Sequence, residues 1–143
     1  MRIRDVIAAK QQQQVLTVPP DATVRDLVAK LSEHNVGAMV VSADGQSVAG
    51  IVSERDVVRR LHSDADVLST PVSQIMTQEV HTCESSHPLD DVMEAMTKRR
   101  IRHVPVVDDG VMVGIISIGD VVKHKIDALQ FERDQLDSYV HQS

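Results

Sequence analysis

Aromatic residues are almost missing from this chain: it has no tryptophan, and Phe131 and Tyr139 are its only phenyl and phenol rings. The body of the protein must therefore build its core from Val, Ile, Leu, Met and Ala, which supply nearly all of the 42% apolar share. It also lacks the stacking platform on which single-strand nucleic-acid binders rely. A basic excess is absent as well. The formal net charge is −6 with neutral histidine, which favours solubility and opposes a surface for bulk nucleic acid. A single cysteine, Cys83, permits no internal disulfide and gives no sign of an oxidising compartment. No run approaches the roughly 20 apolar residues of a membrane span. The opening "MRIRDVIAAK" carries Asp5 and lacks the apolar stretch of a signal peptide. These absences lead to the expectation of a cytoplasmic, soluble protein with no membrane or nucleic-acid partner.

Catalytic signatures are equally sparse. The seven histidines show no His-x-x-x-His spacing and Cys83 has no Cys-x-x-Cys companion, so no metal is expected. There is no glycine-rich phosphate loop. "HTCESSH" (81–87) holds Ser, Cys and His, but adjacency in sequence does not make a triad. The expectation is a protein that is not an enzyme, with no catalytic residues and no catalytic cofactor.

What the chain does have is a phrase said twice: "GIVSERD" at 50–56 and "GIISIGD" at 114–120. Shifted by 65, "VLTV" (15–18) falls on "VHTC" (80–83) and "VRDLVAKLSEHNV" (24–36) on "LDDVMEAMTKRRI" (89–101). Shifted by 64, "GIVSERDVV" falls on "GIISIGDVV". This is an internal duplication.

Each copy reads β-α-β-β-α. "VLTV" and "VHT" are the first strands. Val24, Leu27, Val28 and Leu31 have the spacing of an amphipathic helix, with Asp21 or Thr23 as cap and Asn35 and Gly37 closing it. "AMVV" and "VAGIV" are strands around Asp44-Gly45, and a helix with Val57, Val58 and Leu61 as its apolar positions follows Ser53. In the second copy Ser86 opens the helix, and Asp109-Gly110 turns the hairpin in "VPVVDDGVMVGII". A half of about 60–70 residues is marginal alone. The predicted fold is therefore α+β, with two repeats packed sheet to sheet about a pseudo-twofold axis. The expected units are a first repeat over 1–65, a second over 66–126, and an amphipathic helix over 127–143. That tail either docks on its own domain, forms a dimer, or frays. "QQQQ" (11–14) is assigned to the loop before the first strand.

The repeated phrase has two chemical readings. Ser-x-x-Asp is a capping box, and duplicating a fold duplicates its caps. The same strand-to-helix handover also offers amide groups to an anion, and a carboxylate there can accept both hydroxyls of a ribose. Basic residues bear on the choice: "KRRIRH" (98–103) places Arg102 and His103 past the helix end, and Arg55, Arg59 and Arg60 follow Ser53.

Two copies of β-α-β-β-α, each ending in Gly-Ile-Ile/Val-Ser-x-x-Asp, with "IRHVPVVDDGVMVGII" before the second, resemble a tandem pair of cystathionine-β-synthase (CBS) domains, a Bateman module. The resemblance covers residues 1–126. It implies a regulatory, energy-sensing module that binds an adenine nucleotide (AMP foremost, or ADP, ATP or NAD) between the repeats. Asp56 and Asp120 would then hold ribose hydroxyls, with Ser53 and Ser117 near ribose and phosphate. Val80, Thr82, Arg102, His103 and Pro105 would cradle the base, or Thr17, Gly37, Ala38 and Met39 in the other copy. Arg55 and Arg102 are the phosphate candidates it implies. The Asp120 site is expected to be the better one, borrowing Arg55 across the interface. The expected assembly is a homodimer acting on an unidentified effector. The alternative is a ligand-independent dimerisation module that regulates another protein.

Overall fold

The computed structural model describes residues 1–10 and 15–141, so the glutamine run (11–14) lies outside the described residues. The order of elements is α1 (Ile3–Ala9), β1 (Thr17–Val18), α2 (Val24–His34), β2 (Ala38–Val41), β3 (Gly50–Ser53), α3 (Glu54–Leu61), α4 (Leu89–Arg99), β4 (His103–Asp108), β5 (Val111–Ser117) and α5 (Ile118–His141). Two short 3-10 turns, Val67–Ser69 and Val72–Gln74, link the halves. β1 pairs parallel with β2 and β2 antiparallel with β3, while β4 and β5 form the second sheet.

The two repeats use the same physics at equivalent positions. α2 is capped by Thr23, whose hydroxyl accepts from the Asp26 N–H at 3.2 Å, and ends on Asn35 in the left-handed region. α4 ends in the same way on Arg100, φ 55°. The β4–β5 hairpin turns through Asp109 and Gly110, both with positive φ, which a two-residue turn of this hand requires.

Each repeat has its own aliphatic core. Val18, Leu27, Met39, Val41 and Val52 belong to the first, and Cys83, Leu89, Val104, Val106 and Ile116 to the second. Val40 and its repeat equivalent Pro105 are buried yet belong to neither cluster, so they form the opposite faces of the sheets, turned toward the other repeat. The Met112 N–H donates to the Gln46 carbonyl across that boundary at 2.8 Å.

Four expectations need correction. "VHT" is not a strand: only Cys83 bridges Val106. Pro105 accepts from the Cys83 N–H at 3.1 Å but has no N–H to return to residue 81, so the ladder stops. Ser86 does not open α4. Pro88 stands at the cap position, and the Leu89 N–H donates instead to the Met1 carbonyl at 3.1 Å. Val58 and Leu61 are exposed, because α3 is short and buries only Val57. The tail does not dock on its own domain: α5 runs unbroken into it, and Leu129, Leu136 and Val140 stay exposed.

α1 was not foreseen, and its placement is the least local feature of the fold. Ile3 and Val6 are buried in the second repeat's core, while Val67 and Val72 are buried in the first. The exchange is symmetrical. Arg2 bridges Pro88 and Pro71 bridges Thr23. The Ile3 and Arg4 N–H groups donate to the carbonyls of His87 and Ser85, and those of Val72 and Ser73 to the carbonyls of Ala22 and Pro20. Each repeat thus lends its partner the segment that completes the partner's core.

Candidate functional site

The handover from β5 to α5 builds the site. The Ser117 N–H donates to Asp120 Oδ2 at 2.9 Å, and the Asp120 N–H donates to Ser117 Oγ at 3.1 Å. Ser53 and Asp56 repeat the arrangement at 2.8 Å and 3.4 Å. Both motifs are therefore real capping boxes, satisfying amide groups that a helix start leaves without partners.

Their surroundings differ. A cavity of about 350 Å³ opens beside Asp120, at the small end of the range for ligand pockets. His103, Ser117 and Asp120 line it from the second repeat, and Gly37 and Ala38 from the first. α1 contributes Ile7, the residue just past its end contributes Lys10, and the approach to β1 contributes Val15 and Leu16. The site is thus a cleft between repeats. Lys10 Nζ lies 2.9 Å from Asp120 Oδ2 and donates to the Ile115 carbonyl at 2.8 Å. Asp120 Oδ1 takes no donor among the described residues.

The charges in the cleft act on one another. Burial pushes the Asp120 carboxyl up, but the Ser117 N–H, the Lys10 ammonium and the Ser117 hydroxyl outweigh it, leaving the group below its ordinary value and ionised. His103, opposite Ser117 in the sheet register, is held below its ordinary value mainly by burial. Asp120 and Glu54 pull it back up, while Lys10 and Arg102 push it further down.

The other residues named from the sequence do not line this cavity. Arg102, Thr82 and Arg55 are exposed, Val80 lies partly buried ahead of Cys83, and Pro105 faces the other repeat. Thr17 sits in β1, Met39 fills the first core, and Ser53 and Asp56 serve α3 as its cap. Lys10 and Ile7 were missed. Laying "RIRDVI" (2–7) on "PVSQIM" (71–76), the register of the exchanged segments, is the signal that finds them.

The sequence profile of the CBS domain matches residues 3–63 and again 72–127. The chain belongs to the CBS-domain family. As a CBS pair it is similar to a mitochondrial CBS domain-containing protein of Arabidopsis thaliana, 40% identical in an alignment of 125 residues that covers 84% of this chain and 61% of that one. The chain thus spans less than two thirds of that relative. Among solved structures it is similar to a CBS-domain-containing protein of Agrobacterium tumefaciens, with a TM-score of 0.82 at 39% identity over 87% of this chain and 99% of the other. A CBS domain protein from Pyrobaculum aerophilum, complexed with AMP, matches with a TM-score of 0.74 at 29% identity over 84% of this chain and 89% of the other. The predicted α+β pair of repeats is the fold these proteins share. No described helix of the CBS pair is long and apolar enough to cross a membrane. The Arabidopsis relative is named mitochondrial, which differs from the cytoplasmic placement expected from composition. Among the described residues no group of three or more His, Cys, Asp or Glu could hold a metal.

Proposed function

We propose that this CBS pair is a regulatory module that holds one adenine nucleotide, AMP foremost, in the cleft between its repeats. The observation that carries the reading is the pairing of that cleft with Asp120: a carboxylate fixed by Ser117 on one oxygen and, among the described residues, given no donor on the other. An ionised carboxylate in this state can accept from a ribose hydroxyl, and such a charge-assisted bond is worth roughly 1.5–3 kcal/mol. His103 and Ala38 then flank the base. The AMP-bound Pyrobaculum relative supports the same ligand class. Because both repeats line the cleft, an occupant bears on their relative angle. By linkage, an effector or second copy that prefers one angle changes nucleotide affinity by the same factor.

Thermal melts with AMP, ADP, ATP, NAD and S-adenosylmethionine test the proposal. A ligand at 100 times its Kd adds about 2.7 kcal/mol, which raises the Tm by roughly 5–10 °C at this size. No shift with any of them would sink the reading. Asp120→Glu separates clamp from cap. Glutamate serves a capping box well, so the variant keeps its Tm, but its longer arm misplaces the ribose and the AMP response disappears. A variant that responds like wild type removes Asp120 from the role.

The second reading, a ligand-independent interaction module, is favoured by the exposed apolar residues of α5: Leu129, Leu136 and Val140. It predicts no melt response and an association measurable by sedimentation.

A further inference from the structure

We propose that Lys10 makes this cleft select a phosphorylated nucleoside over a neutral one, by exchanging Asp120 for the ligand's phosphate. The inference rests on the ribose-clamp reading of Asp120 and adds to it the class of ligand the clamp accepts.

Lys10 closes one wall of the site. Its ammonium lies 2.9 Å from Asp120 Oδ2 and 2.8 Å from the Ile115 carbonyl. It lines two cavities: the cleft, and an adjoining hollow of about 280 Å³ that also touches Lys123 and His124. The Lys10–Asp120 pair is therefore a partition between them. Arg102 and Arg55, the basic residues that stand out in the sequence, line neither space. Lys10 is the only lysine or arginine among the residues lining the cleft.

The consequence follows from charge balance. A neutral nucleoside can place one ribose hydroxyl on Oδ1, but its second hydroxyl competes with the ammonium for Asp120 Oδ2 and offers Lys10 nothing in return. Its side chain is only about a quarter exposed, so an ammonium left without a counter-charge there is costly. A phosphate supplies the replacement anion. Without Lys10, the carboxylate of Asp120 faces the phosphate unscreened and repels it.

The internal repeat provides an independent comparison. In the register of the exchanged segments, where Arg2 corresponds to Pro71, Lys10 corresponds to Glu79. The position that brings a cation to Asp120 thus carries an acid in the other repeat. Asp56 lines neither cavity. The selection for phosphate belongs to one site, and one phosphorylated ligand per chain is expected.

The test is calorimetric titration of the full chain with adenosine and with AMP, at one ionic strength, for wild type, Lys10→Met and Lys10→Gln. Wild type binds AMP more tightly than adenosine. Either variant loses about tenfold to a hundredfold in AMP affinity, the worth of a charge-assisted hydrogen bond. Adenosine binding stays the same or tightens, because Asp120 is now free. The AMP-to-adenosine ratio therefore collapses toward one. A ratio unchanged in the folded variants, or a wild type that binds both ligands equally, overturns the role of Lys10 and leaves the ribose clamp standing. A wild type that binds neither overturns the clamp itself. Circular dichroism shows whether each variant is folded. If both substitutions unfold the chain, a wild-type AMP-to-adenosine ratio that does not fall with added salt overturns the proposal, and one that falls supports it.

Discussion

Ile3→Ala should be among the most damaging substitutions in this protein, although α1 is a seven-residue helix that could not persist alone. Ile3 is 0% exposed and packs in the second repeat's core with Leu89, Val92, Val104 and Ile116. Truncating a buried isoleucine to alanine costs about 2–5 kcal/mol, the spread reflecting how far the cavity can collapse. A value near 3 kcal/mol would remove about a fifth to three fifths of the roughly 5–15 kcal/mol that holds a domain together. It would lower the Tm by about 10 °C. Val72→Ala, the equivalent position, is also 0% exposed and should lose about two thirds as much, since fewer methyl groups are removed. Leu136→Ala, at a residue 65% exposed, should change stability by less than about 0.5 kcal/mol. Urea unfolding followed by circular dichroism at one protein concentration measures all three. If Ile3→Ala matches Leu136→Ala, α1 does not close the second core and the exchange of segments is wrong.

A methyl group added at Gly50 would lie 2.6 Å from Met76 Sδ and 2.8 Å from the Thr77 carbonyl, so Gly50→Ala should cost about 1–3 kcal/mol. At Gly114 the nearest atom is Ile7 Cδ1 at 3.1 Å, a flexible tip, and Gly114→Ala should cost less than half as much in the same assay. Equal losses would refute the comparison. The His103 imidazole is held below its ordinary value by burial, so the folded chain binds its proton less tightly than the unfolded chain does. Its contribution to stability is complete above about pH 6.5 and is lost as pH falls through the folded value. His103→Gln should flatten the decline between about pH 7 and pH 5. It should not abolish it, since burial also lowers His81. A wild-type slope in the variant would discount the burial of His103. Cys83 is 4% exposed and burial pushes its thiol up to about 11, so alkylating reagents at neutral pH should label it far faster in urea than in the native protein. Equal rates would place it outside the core.

Elements whose signals are local were legible in the sequence. α2, with Thr23 at its start and Asn35 at its end, is written entirely within its own residues, as is the Asp109-Gly110 hairpin. Both Ser-x-x-Asp caps could be read for the same reason. Part of the cleft was legible too: His103, Ser117, Asp120, Gly37 and Ala38 follow from the repeat and its family resemblance. The illegible parts depend on distant chain. The cap of α4 is a carbonyl of Met1, which nothing near Ser86 announces. The strand expected at "VHT" fails because of Pro105 on the neighbouring strand. Lys10 reaches Asp120 only because α1 crosses to the other repeat. That crossing has its own register, separate from the offset of 65 that aligns the repeats.

The exchanged segments also set an order in time. During synthesis α1 leaves the ribosome early, but the groups that bury Ile3 and Val6 extend to Ile116 and Val121. The helix must wait, apolar face uncovered, until almost the whole described chain exists. The first repeat is released sooner, since Val72 completes its core. The first half can therefore consolidate while the second is still being made, and the arrival of α5 is the event that draws α1 home. Contacts spanning this much sequence slow folding, because the intervening loop must close before they form. A fragment cut between the repeats would carry α1 on one piece and its berth on the other. Two such fragments mixed together should find each other, each holding the missing wall of its counterpart.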